Sequence, residues 1–153
     1  MQIRIEATDL PGRDWTEAPG RPEHRDVRVA VQRRNHPGDL LDARPGDSPA
    51  AAWTLLCGPP RTTATGTDFT GPYIQGSPGG RFVYLSWCTP DAAGAVTVFR
   101  RAKLMLDAVD PATAEAAVRS GLLVARLRLT DARGGPLCAA VRPPLIEWSA
   151  PPS

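Results

Sequence analysis

The side chains able to do chemistry fall in two stretches of the chain. Asp68, Tyr73 and Gln75 lie in a turn-rich segment, and Tyr84, Trp87, Phe99, Arg101 and Lys103 follow in two segments that mix apolar, aromatic and cationic residues. Lys103 is the single lysine among eighteen cationic residues. It sits in Phe99-Arg100-Arg101-Ala102-Lys103-Leu104-Met105-Leu106, where charge and hydrophobe are most densely interleaved. Read as a strand, this run puts Phe99, Arg101, Lys103 and Met105 on one face and Val98, Arg100, Ala102 and Leu104 on the other, so cations share a face with apolar groups. Such a face is either a ligand pocket or a rim along which long cationic side chains lay their stems. As a pocket, Lys103 or Arg101 holds an anion or enolate, Asp68 or Tyr73 moves a proton, and Gln75, Tyr84, Trp87, Phe99 and Arg101 touch the substrate. As plain structure, Tyr84 and Phe99 are cross-strand core, Arg101 and Lys103 snorkel, and Asp68 caps a turn.

Other chemistries find little support. His24 and His36 lie in polar turns with no Cys, Asp or Glu at ligand spacing on a regular element, so no metal site is expected. Cys88 would be a nucleophile only with a base beside it in the fold. Ser77-Pro78-Gly79-Gly80 lacks the Gly-Lys-Ser/Thr of a phosphate loop and reads as a turn. No cofactor is expected. Cys57, Cys88 and Cys138 are odd in number and unpaired in spacing, which suits reduced, buried thiols.

The elements that must position these residues come from a chain of 153 residues, enough for one core and too few for two ordinary domains. Residues 1–148 are expected as one domain, with 149–153 as a frayed tail. A net charge of +2 without a basic stripe argues against nucleic acid. No apolar run approaches the ~20 residues of a membrane span. Met1 to Ile5 passes directly into strand-like alternation with no secretory leader, so a cytoplasmic protein is expected. Arginine-heavy, alanine-rich usage fits a high-GC genome.

Strands are predicted where apolar and β-branched residues recur at period two or in short runs between turns. Ile3, Ile5 and Ala7 face one way in the first, which ends at Asp9-Leu10-Pro11-Gly12. Val27, Val29 and Val31 face inward in the second, opposite Arg28, Ala30 and Gln32, and a short third spans 52–56. The run 81–87 is apolar on both faces, as a central strand would be. A turn at 89–94 leads into 96–106, giving an antiparallel pair. Asp110 as N-cap, Pro111 at the first position and Gly121 as the stop predict a helix of about ten residues. A last hairpin is predicted from 122–129 and 137–141, with an extended tail through Trp148. Two connections are long, 35–50 and 58–80. The first reads as a surface excursion and the second, with Phe69 and Tyr73, as a loop that folds back over the cationic face as a lid.

Five stretches taken in order, 9–13, 31–34, 68–76, 81–87 and 99–104, resemble a family of short actinobacterial proteins catalogued only as a domain of unknown function. The resemblance covers nearly the whole chain and implies a complete, soluble protein. It implies no activity and no catalytic residue.

The expected fold is mostly β, a β-barrel or strongly curved antiparallel sheet with one short helix, the alternative being an α+β sandwich with the helix on one sheet face. The expected function is binding of a small hydrophobic organic molecule, extending to cofactor-independent cyclase or isomerase chemistry in bacterial specialised metabolism. A non-enzymatic protein-interaction module, docking through a sheet edge or a patch around Trp148, is the alternative. A homodimer through an edge strand is compatible with both.

Overall fold

Alternation at period two builds the first layer. In a computed structural model, which describes residues 1–8, 28–43, 50–90, 96–128, 140–141 and 146–152, β1 (Gln2–Thr8) buries Ile3, Ile5 and Ala7 and leaves Gln2, Arg4 and Thr8 exposed. Its partners are β4 (Ala51–Leu56), antiparallel, and β9 (Leu122–Arg128), parallel; β11 (Ile146–Ser149) adds antiparallel to β9. The four-stranded sheet runs β11-β9-β1-β4. One row across its inner face reads Trp148, Ala125, Ile5, Trp53, so a tryptophan at each edge brackets two smaller side chains. Trp148 packs against the core, and Ser149 pairs with Val124, so the ladder reaches into the tail expected to fray.

The second layer has five strands, in the order β10-β8-β7-β2-β3. These are β10 (Ala140–Val141), β8 (Val96–Met105), β7 (Phe82–Pro90), β2 (Arg28–Arg33) and β3 (His36–Ala43). The expected pairing of the central strand with the cationic one is present as β7–β8, antiparallel, with Tyr84 opposite Lys103 and Ser86 opposite Arg101. Val29 and Val31, Val83 and Leu85, and Ala102 and Leu104 face the four-stranded sheet, and the two inner faces share one core. Neither sheet closes on itself, so the structure is two open sheets with one helix, and the barrel is not formed. Most strand pairs are antiparallel, as expected, and β1–β9 and β8–β10 are parallel.

Two further corrections have physical causes. The hairpin expected from 122–129 and 137–141 does not form, since β9 belongs to one sheet and β10 to the other. Periodicity marks a strand but does not name its partner. The connection 35–50 contains β3, antiparallel to β2 through a tight turn at Arg34-Asn35, with Asn35 at φ 61°. Pro37 and Gly38 concealed it, because both are poor strand formers; β3 is an edge strand, where proline is tolerated. The turns predicted at 9–12 and 131–135, most of the one at 89–94, Val27, His24 and Cys138 lie outside the described residues. So do the side chains of Arg28, His36, Trp87, Cys88, Phe99 and Arg100.

The helix α1 (Pro111–Ser120) forms as its caps demand. Asp110 Oδ1 accepts the Thr113 amide at 2.9 Å and Oδ2 the Thr113 hydroxyl at 2.6 Å, and these bonds hold its carboxyl below the usual carboxylate range. Gly121 stops the helix at φ 76°, donating its amide to the Ala117 carbonyl at 2.8 Å. Ala114 and Ala117 turn into the core, and α1 carries the chain from β8 in one sheet to β9 in the other.

The connection 58–80 does not lie over the cationic face as a lid. It holds a short hairpin, β5 (Arg61–Thr63) and β6 (Gly66–Asp68), and then sends Phe69 and Ile74 into the core. Those two side chains are 2% and 0% exposed, so the segment is a plug at one end of the sandwich. Its backbone is closed on itself where the Gly58 amide donates to Thr70 (2.8 Å), and it is sewn to the five-stranded sheet by the Arg34 amide, which donates to Pro72 (2.7 Å), and by Gln75 and Phe82, which exchange amide bonds of 2.8 and 3.1 Å. Gly76, at φ 87°, makes the turn, and a side chain there would collide with the Gly80 carbonyl. Gly76→Ala combines left-handed strain with that collision and is expected to lower stability by more than about 2 kcal/mol in chemical denaturation. A cost near zero would mean that this turn relaxes freely.

Candidate functional site

The strand pairing β2–β7–β8 places alternate side chains on the face turned away from the core: Gln32 from β2, Phe82, Tyr84 and Ser86 from β7, Arg101 and Lys103 from β8. The six form one cluster. Lys103 Nζ stands 4.6 Å from the Phe82 ring centre and 5.9 Å from that of Tyr84, and the Arg101 guanidinium carbon is 5.5 Å from the Tyr84 ring centre. Phe82 and Tyr84 meet edge to face at 4.8 Å. Both cations are therefore seated on the negative faces of aromatic rings, each contact contributing about 0.5–2 kcal/mol according to how dry it is.

A buried amide holds the cluster from beneath. Gln32 is 8% exposed and Ser86 0% exposed, although both are on the face away from the core. Gln32 Oε1 accepts from Arg101 Nε at 2.9 Å and from the Ser86 hydroxyl at 3.4 Å, and the Gln32 carbonyl accepts from Gln75 Nε2 at 3.5 Å. A buried amide oxygen carrying two donors cannot turn without orphaning one of them, so the Arg101 guanidinium is locked in direction. Arg101 and Lys103 stand two residues apart on one face, about 7 Å along the strand. Like charges at that separation favour an anion between them. Among the described residues no carboxylate pairs with either, whereas Arg81 has Asp68, and Arg4 and Arg126 share Glu6.

Of the expected site residues, Gln75, Tyr84, Arg101 and Lys103 are thus brought together, and Phe82, Gln32 and Ser86 join them without having been singled out from sequence. The signal for Phe82 was its place two residues before Tyr84 on one strand face, and for Gln32 its place on the non-core face of β2. Asp68 and Tyr73 are elsewhere. Asp68 bonds Arg81 (Nε to Oδ1 2.9 Å, Nη2 to Oδ2 3.3 Å). Arg81 stands just ahead of β7 and occupies both oxygens of Asp68, so Asp68 is committed to that pair, and no contact joins it to Lys103 among the described residues. Tyr73 is half-buried against the core within the plug. The side chains of Phe99 and Trp87 lie outside the described residues.

Cys57, at the end of β4, has its thiol pushed up to about 11 by burial, against an ordinary value of 9.0. At pH 8 about one molecule in a thousand carries the thiolate, so Cys57 is expected to resist iodoacetamide, as read by peptide mapping. The sign follows: the folded state holds this proton more tightly than the unfolded state does, so raising pH from 9 towards 11 disfavours folding. Rapid alkylation at pH 8 under native conditions would contradict the burial.

Fold and site define a class, a two-sheet β protein with one helix and a cation-bearing aromatic face. Residues 1–151 match the family described as a family of unknown function (DUF5990), and the chain belongs to that family. No curated protein and no solved structure matches the chain. Among the described residues no helix is long and apolar enough to cross a membrane.

Proposed function

We propose that the protein binds a small, partly hydrophobic organic molecule bearing an anionic group on the outer face of the β2–β7–β8 strands. Arg101 and Lys103 hold the anion, and Phe82 and Tyr84 supply an aromatic platform for the apolar part. One observation carries this reading: both cations are fixed in direction, by rings and by Gln32, on a half-buried face, and neither forms an ion pair with a carboxylate among the described side chains. Fixed donors bind an anion without the cost of ordering them.

A cofactor-independent cyclase or isomerase would assign Lys103 to a developing enolate and would also need a group to move a proton. Asp68 is engaged by Arg81 and Tyr73 is in the plug, which supports a binding reading over turnover. The test is a thermal-shift screen of aromatic carboxylates and enolisable ketones, followed by titration of the hits. Arg101→Ala and Lys103→Met are each expected to weaken a hit about tenfold or more, the scale of a lost charged hydrogen bond. Hits bound equally well by both variants would sink the proposal.

A second reading, an interaction module, is favoured by Leu56, which is 66% exposed on the edge strand β4. It expects one partner, a second copy included, that is lost on Leu56→Asp, as read by light scattering and pull-down.

A further inference from the structure

We propose that a cleft at the plugged end of the sandwich is a second binding site, for a small organic amine with an apolar body. The cleft holds about 330 Å³ between the β5–β6 hairpin, the turn at 78–81, the link 106–109 and the first turns of α1. Its volume is at the small end of the range for ligand pockets. Phe69, Leu106 and Ala114 make an apolar floor continuous with the core. Around it stand hydroxyl-bearing residues of the hairpin, Thr62, Thr63, Thr65 and Thr67, and the Asp68–Arg81 pair, whose side chains are 10% and 14% exposed. That pair keeps hydrogen-bonding capacity towards the cleft: a carboxylate has about four acceptor positions, and Arg81 accounts for two on Asp68.

Charge decides the class of ligand. Arg81 is the cation of the wall and Asp68 already matches it, while Asp107 and Glu115 line the same space. Glu115 reaches only the exposed Arg119, at 3.7 Å, and Asp107 has no ion pair among the described residues. Three carboxylates against one guanidinium repel an anion and draw a protonated amine, to which threonine hydroxyls add acceptors. This site shares no lining residue with the Arg101–Lys103 cluster, has the opposite sign of charge and stands independently of it.

The experiment uses the full chain and two isosteric probes, phenethylamine and 3-phenylpropanoate, titrated while backbone amide resonances are recorded. Phenethylamine is expected to shift amides of residues 62–68 and 107–115 with millimolar affinity, and 3-phenylpropanoate to leave them in place. Asp107→Asn and Glu115→Gln alter exposed side chains that the fold does not need, and each is expected to weaken the amine about two- to fivefold. Equal binding of both probes, shifts located elsewhere, no shift into the tens of millimolar, or affinity unchanged in both variants would each overturn the proposal.

Discussion

Phe69→Ala is expected to lower the free energy of unfolding by about 3–5 kcal/mol, the range for emptying a fully buried phenylalanine site. Phe69 is 2% exposed and packs in the core shared by both sheets, beside the buried Ile74 from the same segment. The segment that carries it is braced internally by the Gly58 amide on Thr70 and tied to the five-stranded sheet by the Arg34 amide and the Gln75–Phe82 exchange, so it cannot collapse easily into the vacated volume. Gly71 lies against the Leu56 carbonyl and the Cys57 backbone, which limits inward movement further. A domain of this size has about 5–15 kcal/mol in total, so the loss is a large fraction of it. Urea unfolding followed by tryptophan fluorescence measures it, with Thr62→Ala on the exposed hairpin as a control of near-zero effect. A cost below about 1 kcal/mol would show that residues 58–80 are an appended loop and not part of the core.

Arg81→Ala is expected to cost about 3 kcal/mol, because it leaves the Asp68 carboxylate enclosed without its cation and deprives the Gly76 carbonyl of the 2.7 Å bond from Arg81 Nη1. Asp68→Asn should cost less, since the Gly76 bond survives and an amide can still accept one bond from the guanidinium. The double replacement Arg81→Met with Asp68→Leu should recover much of the single-variant loss, as removing both charges removes the uncompensated one. If Arg81→Ala cost no more than a surface pair, under about 0.5 kcal/mol, the ion pair would be solvated and the hairpin held by its neighbours alone.

Both residues were legible only in part. The helix could be read to the residue, because Asp110, Pro111 and Gly121 act through bonds to neighbours within four positions. The inward faces of β1 and β2 were equally readable from period-two alternation at Ile3, Ile5 and Ala7 and at Val29 and Val31; on β8 alternation separates two faces without saying which turns inward, and against the expectation of an enclosed cationic face the structure turns Ala102 and Leu104 into the core and Arg101 and Lys103 away from it. The sequence marks Phe69 as an aromatic in a long connection but not its burial in the core, since irregular backbone has no period to betray which side chain turns inward. Asp68 joins Lys103 only if the 58–80 connection closes over the sheet end; the segment instead turns Phe69 and Ile74 into the core, and Asp68 is held by Arg81.

Residue types and short-range spacing settle, without reference to coordinates, that this chain is β-rich, that one capped helix interrupts it, and that Arg101 and Lys103 share a strand face. Tertiary structure decides that the sheets stay open, that β1 runs parallel to β9, that β3 extends an edge through Pro37, and that Gln32 meets Arg101. The division has one cause. Caps and alternation are set by interactions within a few residues, whereas partners and register are chosen by burial and pairing between segments up to more than a hundred positions apart, as when Arg126 bonds Glu6, and no local pattern encodes that choice.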